Sequence, residues 1–369
     1  GNTTSKFWDR GLANVALCDG PAGLRIQKRS TVSEKGKVKP VEMAMSIMES
    51  FPSFVKKLMT GDPEKEPVLY QYATAFPVAN ALAQTWNTEL LHRIGQGIAR
   101  EMAEYGCTYW LAPAVNIHRN PLCGRNFEYF SEDPFLAGIM SAELTQGIQE
   151  TPGCYVTVKH FACNNQEDNR NFVSSNLSER ALREIYLRGF EICVKEAAPK
   201  TIMTSYNLIN GVWGHYHFEL VHTILRGEWG NKAMYITDNI LTEYCDASAA
   251  IVAGGVTCFD AMLTYATDDL KETVGGKNPD PIVVNALVEA MHHNLYTIIN
   301  SAAMNGVGEN TVVKATTPKI LRTLKTVTTV VTVLSVLFIA LWILGSIKLR
   351  KTEAYTAYKT AKRNYKASK

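Results

Sequence analysis

MYITDNI, residues 234–240, is an apolar, strand-like run that stops on a carboxylate, Asp238, with Asn239 behind it. The same plan recurs upstream. VALCDG (15–20), YWLAPAV (109–115), CYVTVKHF (154–161) and TIMTSYN (201–207) are also short apolar runs that end in polar residues. Amphipathic stretches lie between them. In SERALREIYLRGFEICVKEA, Leu182, Ile185, Gly189, Ile192 and Cys193 fall at helical spacing with charges opposite, and TELLHRIGQGIAREMAEYG (88–106) behaves likewise. Strand-then-helix repetition over residues 1–305 predicts a parallel sheet, either an open doubly wound one or a closed barrel. Nearly every strand ends in chemistry: Asp19, Lys159 with His160, Tyr206, Asp238. That favours an α/β, TIM-like (β/α)8 barrel, whose sites gather at the C-terminal ends of several strands. Residues 26–74 read as a long insertion after the first strand, including a Met-rich helical patch at 41–59 expected to be a lid or packing element.

The C-terminus is of another kind. Residues 326–347, TVTTVVTVLSVLFIALWILGSI, form an uncharged run of 22. At about 1.5 Å per residue such a helix crosses a hydrocarbon core of ~30 Å. Lys314, Lys319, Arg322 and Lys325 precede it; eight basic residues follow it, opposed only by Glu353. The charge bias predicts a cytoplasmic tail and a large domain outside the cytoplasm. In the tail, Ala354, Tyr358, Ala361 and Tyr365 recur at helical spacing among lysines, as in a helix on an anionic membrane surface or in a merely solvated basic tail. The expected organisation is therefore a barrel domain at 1–308, a linker at 309–325, a transmembrane helix at 326–347 and a basic tail at 348–369.

Composition excludes several classes. Charged residues are 20% of the 369, hydrophobic residues 46%, and the net charge of +3 offers no basic face for nucleic acid. The eight cysteines stand singly, which predicts buried free thiols rather than disulfides or zinc, and suits a reducing setting better than an oxidising exterior. No HExxH, P-loop, strand-borne GxGxxG or GxSxG is present, so no metal or organic cofactor is expected.

What remains is a set of carboxylates with a lysine, a histidine and an arginine. Arg125 and Lys159 can donate charge-assisted hydrogen bonds to vicinal hydroxyls, Asp19 can accept them, and His160 can do either. Asp238 can attack an anomeric carbon or stabilise an oxocarbenium ion. Taken alone, an Asp after a strand is more often a helix cap.

Five motifs in order change that balance: ALCDGPAGLR (16–25), PLCGRNFEYFSEDP (121–134), VKHFACNNQEDNR (158–170), MTSYNLINGV (203–212) and MYITDN (234–239). Together they resemble glycoside hydrolase family 3, in its β-glucosidase-like branch, from about residue 1 to 308. The resemblance implies a retaining exo-β-glycosidase, most simply a β-glucosidase, acting on terminal β-D-glucosyl residues of β-glucosides or short β-linked oligosaccharides. Asp238 would be the nucleophile, and Asp19, Arg125, Lys159, His160, Met203 and Tyr206 would bind the sugar. A β-xylosidase or mixed-specificity enzyme is the near alternative; a non-catalytic, membrane-anchored sugar-binding protein is the rival from another class. Two departures stand out. Asn239 replaces the aromatic that often follows the nucleophile, which could move stacking to Trp86, Trp110 or Trp213. The family's acid/base glutamate sits on an α/β-sandwich domain, and residues 308–369 have no room for one. An upstream sandwich domain of the same protein is therefore expected, the chain beginning at Gly1. Glu128, Glu132 and Glu167, the acids nearest the motifs, are expected to pair with Arg or Lys.

Overall fold

The computed structural model describes residues 2–3, 10–42, 52–240, 246–256, 265–305 and 319–367. It forms two units, Gly1–Thr311 and Val312–Lys369. Most of the Met-rich patch, Cys245, Cys258, Lys314 and the linker through residue 318 lie outside the described residues.

In chain order, β1 (Asn2–Thr3) pairs antiparallel with β2 (Ala16–Cys18). The stretch read as an insertion holds a small antiparallel sheet of β3 (Arg29–Val32), β4 (Val38–Pro40) and β5 (Val68–Tyr70), with α1 (Ser53–Met59) between the last two. Helices α2 (Ala79–Ala83) and α3 (Thr88–Tyr105) lead into β6 (Tyr109–Trp110), and α4 (Pro134–Gln149) leads into β7 (Tyr155–Phe161). Next come β8 (Ser174–Ser175), then α5 (Glu179–Ala181), a π turn (Leu182–Tyr186) and α6 (Arg188–Ala197), which deliver β9 (Thr201–Thr204). A hairpin of β10 (Leu208–Ile209) and β11 (Val212–Trp213) precedes a π-helical segment (Glu219–Glu228) and β12 (Met234–Ile236). Helices α7 (Ala247–Gly254), α8 (Tyr265–Gly275) and α9 (Pro281–Ile299) close the unit.

The helix ends follow from local chemistry. Asn87 and Asp133 accept from the N–H groups of Leu90 (2.9 Å) and Phe135 (2.8 Å), satisfying amides that a helix start leaves unpaired. Gly106, at φ 67°, stops α3 in a left-handed conformation that costs a residue without Cβ little.

The main sheet runs β1-β2-β6-β7-β9-β12, and its last five strands are parallel. Alternation sorts the side chains. Cys18, Trp110, Val156, Val158, Ile202 and Tyr235 face the helices, whereas Leu17, Tyr109, Tyr155, Met203, Met234 and Ile236 face the other side. That second face is covered near the strand starts by Ile298 at the end of α9, with Ala303 and Met304 packed beside it. Tyr155 donates its hydroxyl to the Asn300 carbonyl at 2.5 Å, pinning the cover in place. Both faces of the sheet are therefore buried, which is why its strands read as nearly continuous apolar runs.

The α/β class with a parallel sheet stands. The expected eight-stranded ring is seen as an open half: five parallel strands, followed among the described residues by helices α7 to α9. In the second unit α10 (Lys319–Arg350) contains a stretch, Thr326–Arg350, long and apolar enough to cross a membrane, and none of it is buried. The helix α11 (Glu353–Ala367) follows at once.

Candidate active site

Alternation continued past the strand ends predicts which polar residues share the face opposite the helices. Asp19 lies two residues beyond Leu17, Lys159 four beyond Tyr155, and Asp238 two beyond Ile236, so all three keep the parity of the inner cluster. His160 should then point the other way. It does not, because the pairing of β7 with β9 shifts register between Val158 and Phe161, and such an irregularity re-aims a side chain. Asn116 holds the strand there: its amide donates to the His160 carbonyl (2.9 Å) and its Oδ1 accepts from the His160 N–H (2.8 Å).

The result is a chain of alternating charges. Arg25 is bonded to Asp19, and Asp19 Oδ1 accepts from Lys159 Nζ at 3.2 Å. Lys159 also lies 3.9 Å from Glu128 Oε2, while Arg125 Nε donates to Glu128 Oε1 at 2.5 Å. Arg125 Nη1 reaches within 4.0 Å of Asp238 Oδ2, which is 3.6 Å from His160 Nε2. Three carboxylates and three cations thus balance. That matters because Lys159 and Glu128 are each only 4% exposed, and a buried charge without a partner is costly.

Burial also sets the protonation states. It lowers Lys159 to about 8, against the opposing pull of Glu128. It holds His160 neutral, well below its ordinary range, with Arg125 and Lys159 adding to the effect. The Tyr206 hydroxyl is raised by burial and then by the Asp238 carboxylate beside it, so it remains a donor. Burial disfavours the Arg125 cation, but Tyr129, Glu128 and Asp238 more than compensate and its pKa rises. Asp238 Oδ1 accepts from the Asn239 N–H at 2.7 Å. Both ring nitrogens of His160 are buried without a hydrogen-bond partner, an arrangement that a bound hydroxyl would complete.

Asp19, Lys159, His160, Tyr206 and Asp238 are thus brought together at the C-terminal ends of β2, β7, β9 and β12, with Arg125 reaching them from the loop after β6. Met203 is placed differently: 2% exposed, in register with Ile236, it belongs to the inner cluster. Glu128 pairs with both cations, Glu167 with Arg170 at 2.7 Å, and Glu132 is exposed. Two residues escaped the sequence reading: Arg25, the partner of Asp19, and Arg170, whose guanidinium lies 4.3 Å from the centre of the Tyr206 ring. Each ends a quoted motif, ALCDGPAGLR and VKHFACNNQEDNR, and that position was their signal. Of the tryptophans, Trp110 is core, donating to the Gly20 carbonyl at 2.7 Å; Trp213 is half-buried against Phe172; Trp86 is 74% exposed.

Comparison with known proteins bears on the family. Residues 32–254 match the family described as "Glycosyl hydrolase family 3 N terminal domain". Beta-glucosidase A of Butyrivibrio fibrisolvens is 41% identical over 228 residues, covering 62% of this chain and 23% of that protein. An exo-alpha-(1->6)-L-arabinopyranosidase of Bifidobacterium longum is 40% identical over 298 residues, covering 80% of this chain and 34% of that one. Beta-glucosidase 3B from Thermotoga neapolitana, solved in complex with alpha-D-glucose, superposes with a TM-score of 0.66 at 34% identity, over 83% of this chain and 38% of its own. The chain thus spans between about a quarter and two fifths of the length of these relatives. With the family match extending over more than half of its residues, the chain belongs to glycosyl hydrolase family 3.

Proposed function

We propose that this chain carries the sugar-binding and nucleophilic half of a retaining exo-β-glycosidase, most simply a β-glucosidase. The observation that carries the reading is the position of Asp238 Oδ2 at the end of β12, 3.6 Å from neutral His160 and 4.0 Å from Arg125. A terminal glucosyl unit would lay its outer hydroxyls against Asp19 and its remaining hydroxyls against Arg125, Lys159 and His160, with Tyr206 lining the same subsite. Met203 would back this subsite from the inner cluster. Asp238 would attack the anomeric carbon as the bond to the leaving oxygen breaks, giving a covalent glycosyl-enzyme that water then hydrolyses with net retention.

The leaving oxygen needs a proton. Glu128 and Glu167 are committed to cations, so we place the general acid on an α/β-sandwich domain upstream of this chain in the full-length protein. We read the open sheet as part of a (β/α)8 barrel at 1–308, tethered by a linker at 309–325, a membrane span at 326–347 and a basic tail at 348–369. The barrel is placed outside the cytoplasm. A pentopyranoside is a second candidate substrate, because a relative covering 80% of the chain is named for an arabinopyranosidase.

The test is labelling with 2,4-dinitrophenyl 2-deoxy-2-fluoro-β-glucoside, whose activated leaving group departs without an acid. A 2-deoxy-2-fluoroglucosyl adduct on the peptide containing Asp238 is expected, and none in Asp238→Asn. In the full-length protein that substitution should lower kcat by at least about 10³-fold. Unchanged turnover in Asp238→Asn would sink the assignment.

A further inference from the structure

Away from the sugar-binding face, two cysteines meet where β2 meets the start of β6. Cys18 Sγ lies 2.7 Å from Cys107 Sγ, both side chains are buried among the helix-facing residues, and both are free thiols. A covalent S–S bond is about 2.05 Å long, so closing one would move the sulfurs by well under an ångström. Register supports the approach: Leu17 pairs with Tyr109, and the Thr108 N–H bonds to the Ala16 carbonyl at 2.9 Å, so the two backbones are already tied beside the pair. The two sulfurs are in hydrogen-bond contact, which lowers the Cys18 pKa and raises that of Cys107, so Cys18 is the sulfur favoured as the nucleophilic thiolate.

A second observation gives the pair access. A cavity of about 530 Å³ opens at the strand-start side of the sheet, lined by Cys107, Cys154, Thr108, Thr151, Met102 and Asn305 among others. A molecule the size of hydrogen peroxide fits this cavity and meets Cys107 in its wall.

We infer that Cys18 and Cys107 form a reversible disulfide, a peroxide-responsive modification site that ties β2 to β6. One sulfur attacks a peroxide oxygen, the O–O bond breaks, and a sulfenic acid forms with loss of one water. The second sulfur then attacks the first, the S–O bond breaks, and the second water leaves. In sum, two thiols and one hydrogen peroxide give one disulfide and two waters, with two electrons passing from sulfur to oxygen. The disulfide closes a loop from residue 18 to 107 and so restricts the unfolded chain, which raises the melting temperature by several degrees. The inference is independent of the sugar bound.

The test uses the full chain in detergent, reduced, then titrated with hydrogen peroxide and mapped by mass spectrometry after alkylation. Expected is a Cys18–Cys107 cross-linked peptide two hydrogens lighter than its reduced parts, appearing before oxidation of Cys123, Cys163 or Cys193 and reversed by dithiothreitol. The melting temperature should rise with the cross-link and fall on reduction. Cys18→Ala and Cys107→Ala should each abolish both effects, and the wild-type mapping stands should either variant misfold. A Cys107 that alkylates fully at every peroxide dose, that over-oxidises without cross-linking, or that pairs with Cys154 instead would overturn the inference.

Discussion

Lys159 is the residue on which stability and the proposed sugar binding pull in opposite directions. Burial lowers it from an ordinary 10.5 to about 8. Below pH 8 the folded and unfolded chains both hold the proton, and the folded chain bears the whole cost of a buried ammonium. Between about 8 and 10.5 only the unfolded chain is protonated, so unfolding takes up a proton and this residue makes the fold more stable as pH rises. In the proposed sugar subsite, binding would run the other way, because a neutral amine loses its charge-assisted hydrogen bonds. Glucose affinity, measured by calorimetry, is expected to fall about tenfold from pH 7 to 9.5, the worth of one such bond. In Lys159→Gln the affinity should be weak and flat across that range, and an equal slope in the variant would mean another group titrates. At this scale the sequence was informative about which side chains meet at the strand ends and poor at their mutual pairing. The strand-end positions of Asp19, Lys159 and Asp238 are legible because alternation extends beyond the strand. His160 was legible as a residue type and not as a direction, since a register shift depends on the neighbouring strand.

Among the elements, the junction of α3 with α4 is the most exacting. A Cβ on Gly147 would stand 2.1 Å from the His92 carbonyl oxygen, and one on Gly95 would stand 2.4 Å from the Leu144 carbonyl oxygen. Both obstacles are backbone and cannot swing aside, so the helices must part. Gly147→Ala is expected to destabilise the chain by about 1–3 kcal/mol, as overpacking does. Gly97, two residues on and so on another face of α3, meets only the Phe76 ring edge at 3.4 Å. There alanine should be neutral or stabilising by up to about 1 kcal/mol, because it relieves the entropic cost of glycine in a helix. Chemical denaturation of the two variants side by side checks the contrast, and equal losses would refute the close-approach reading. The stretch TELLHRIGQGIAREMAEYG showed the helix through its spacing and its end through Gly106. It could not show that one glycine meets backbone and another a movable ring, since that contrast lives in the partner. The cover that α9 lays over the inner face was equally invisible: Ile298 reads as any apolar helical residue until Tyr155 and Met203 are known to lie beneath it.

For the whole molecule, the decisive physical question is what solvates α10. Its segment Thr326–Arg350 carries a row of exposed large apolar side chains, including Leu337, Phe338, Leu341 and Trp342, and none of the segment is buried by protein. Water is a poor solvent for such a surface, at about 25 cal/mol per Å², whereas a bilayer suits both its length and its composition. The long apolar helix was therefore readable from 326–347 alone, because its length and composition are local properties of the sequence. A single Leu341→Arg substitution near its middle is expected to cost about 2.5–3.5 kcal/mol of insertion. A large fraction of the chain should then shift from the membrane pellet to the alkaline-carbonate supernatant, and an unmoved pellet would argue against a span. The proposed orientation rests on the basic residues after it, which an anionic inner leaflet would attract at about 1 kcal/mol each. In sealed, right-side-out vesicles, external protease should thus spare α11 and digest the barrel. The same experiment bears on the thiols: a barrel outside the cytoplasm meets an oxidising milieu, so Cys18 and Cys107 should be found cross-linked in protein harvested aerobically and free in protein harvested under reductant. Protection of the barrel with digestion of the tail would reverse the orientation, and would place the cysteine pair where glutathione keeps it reduced.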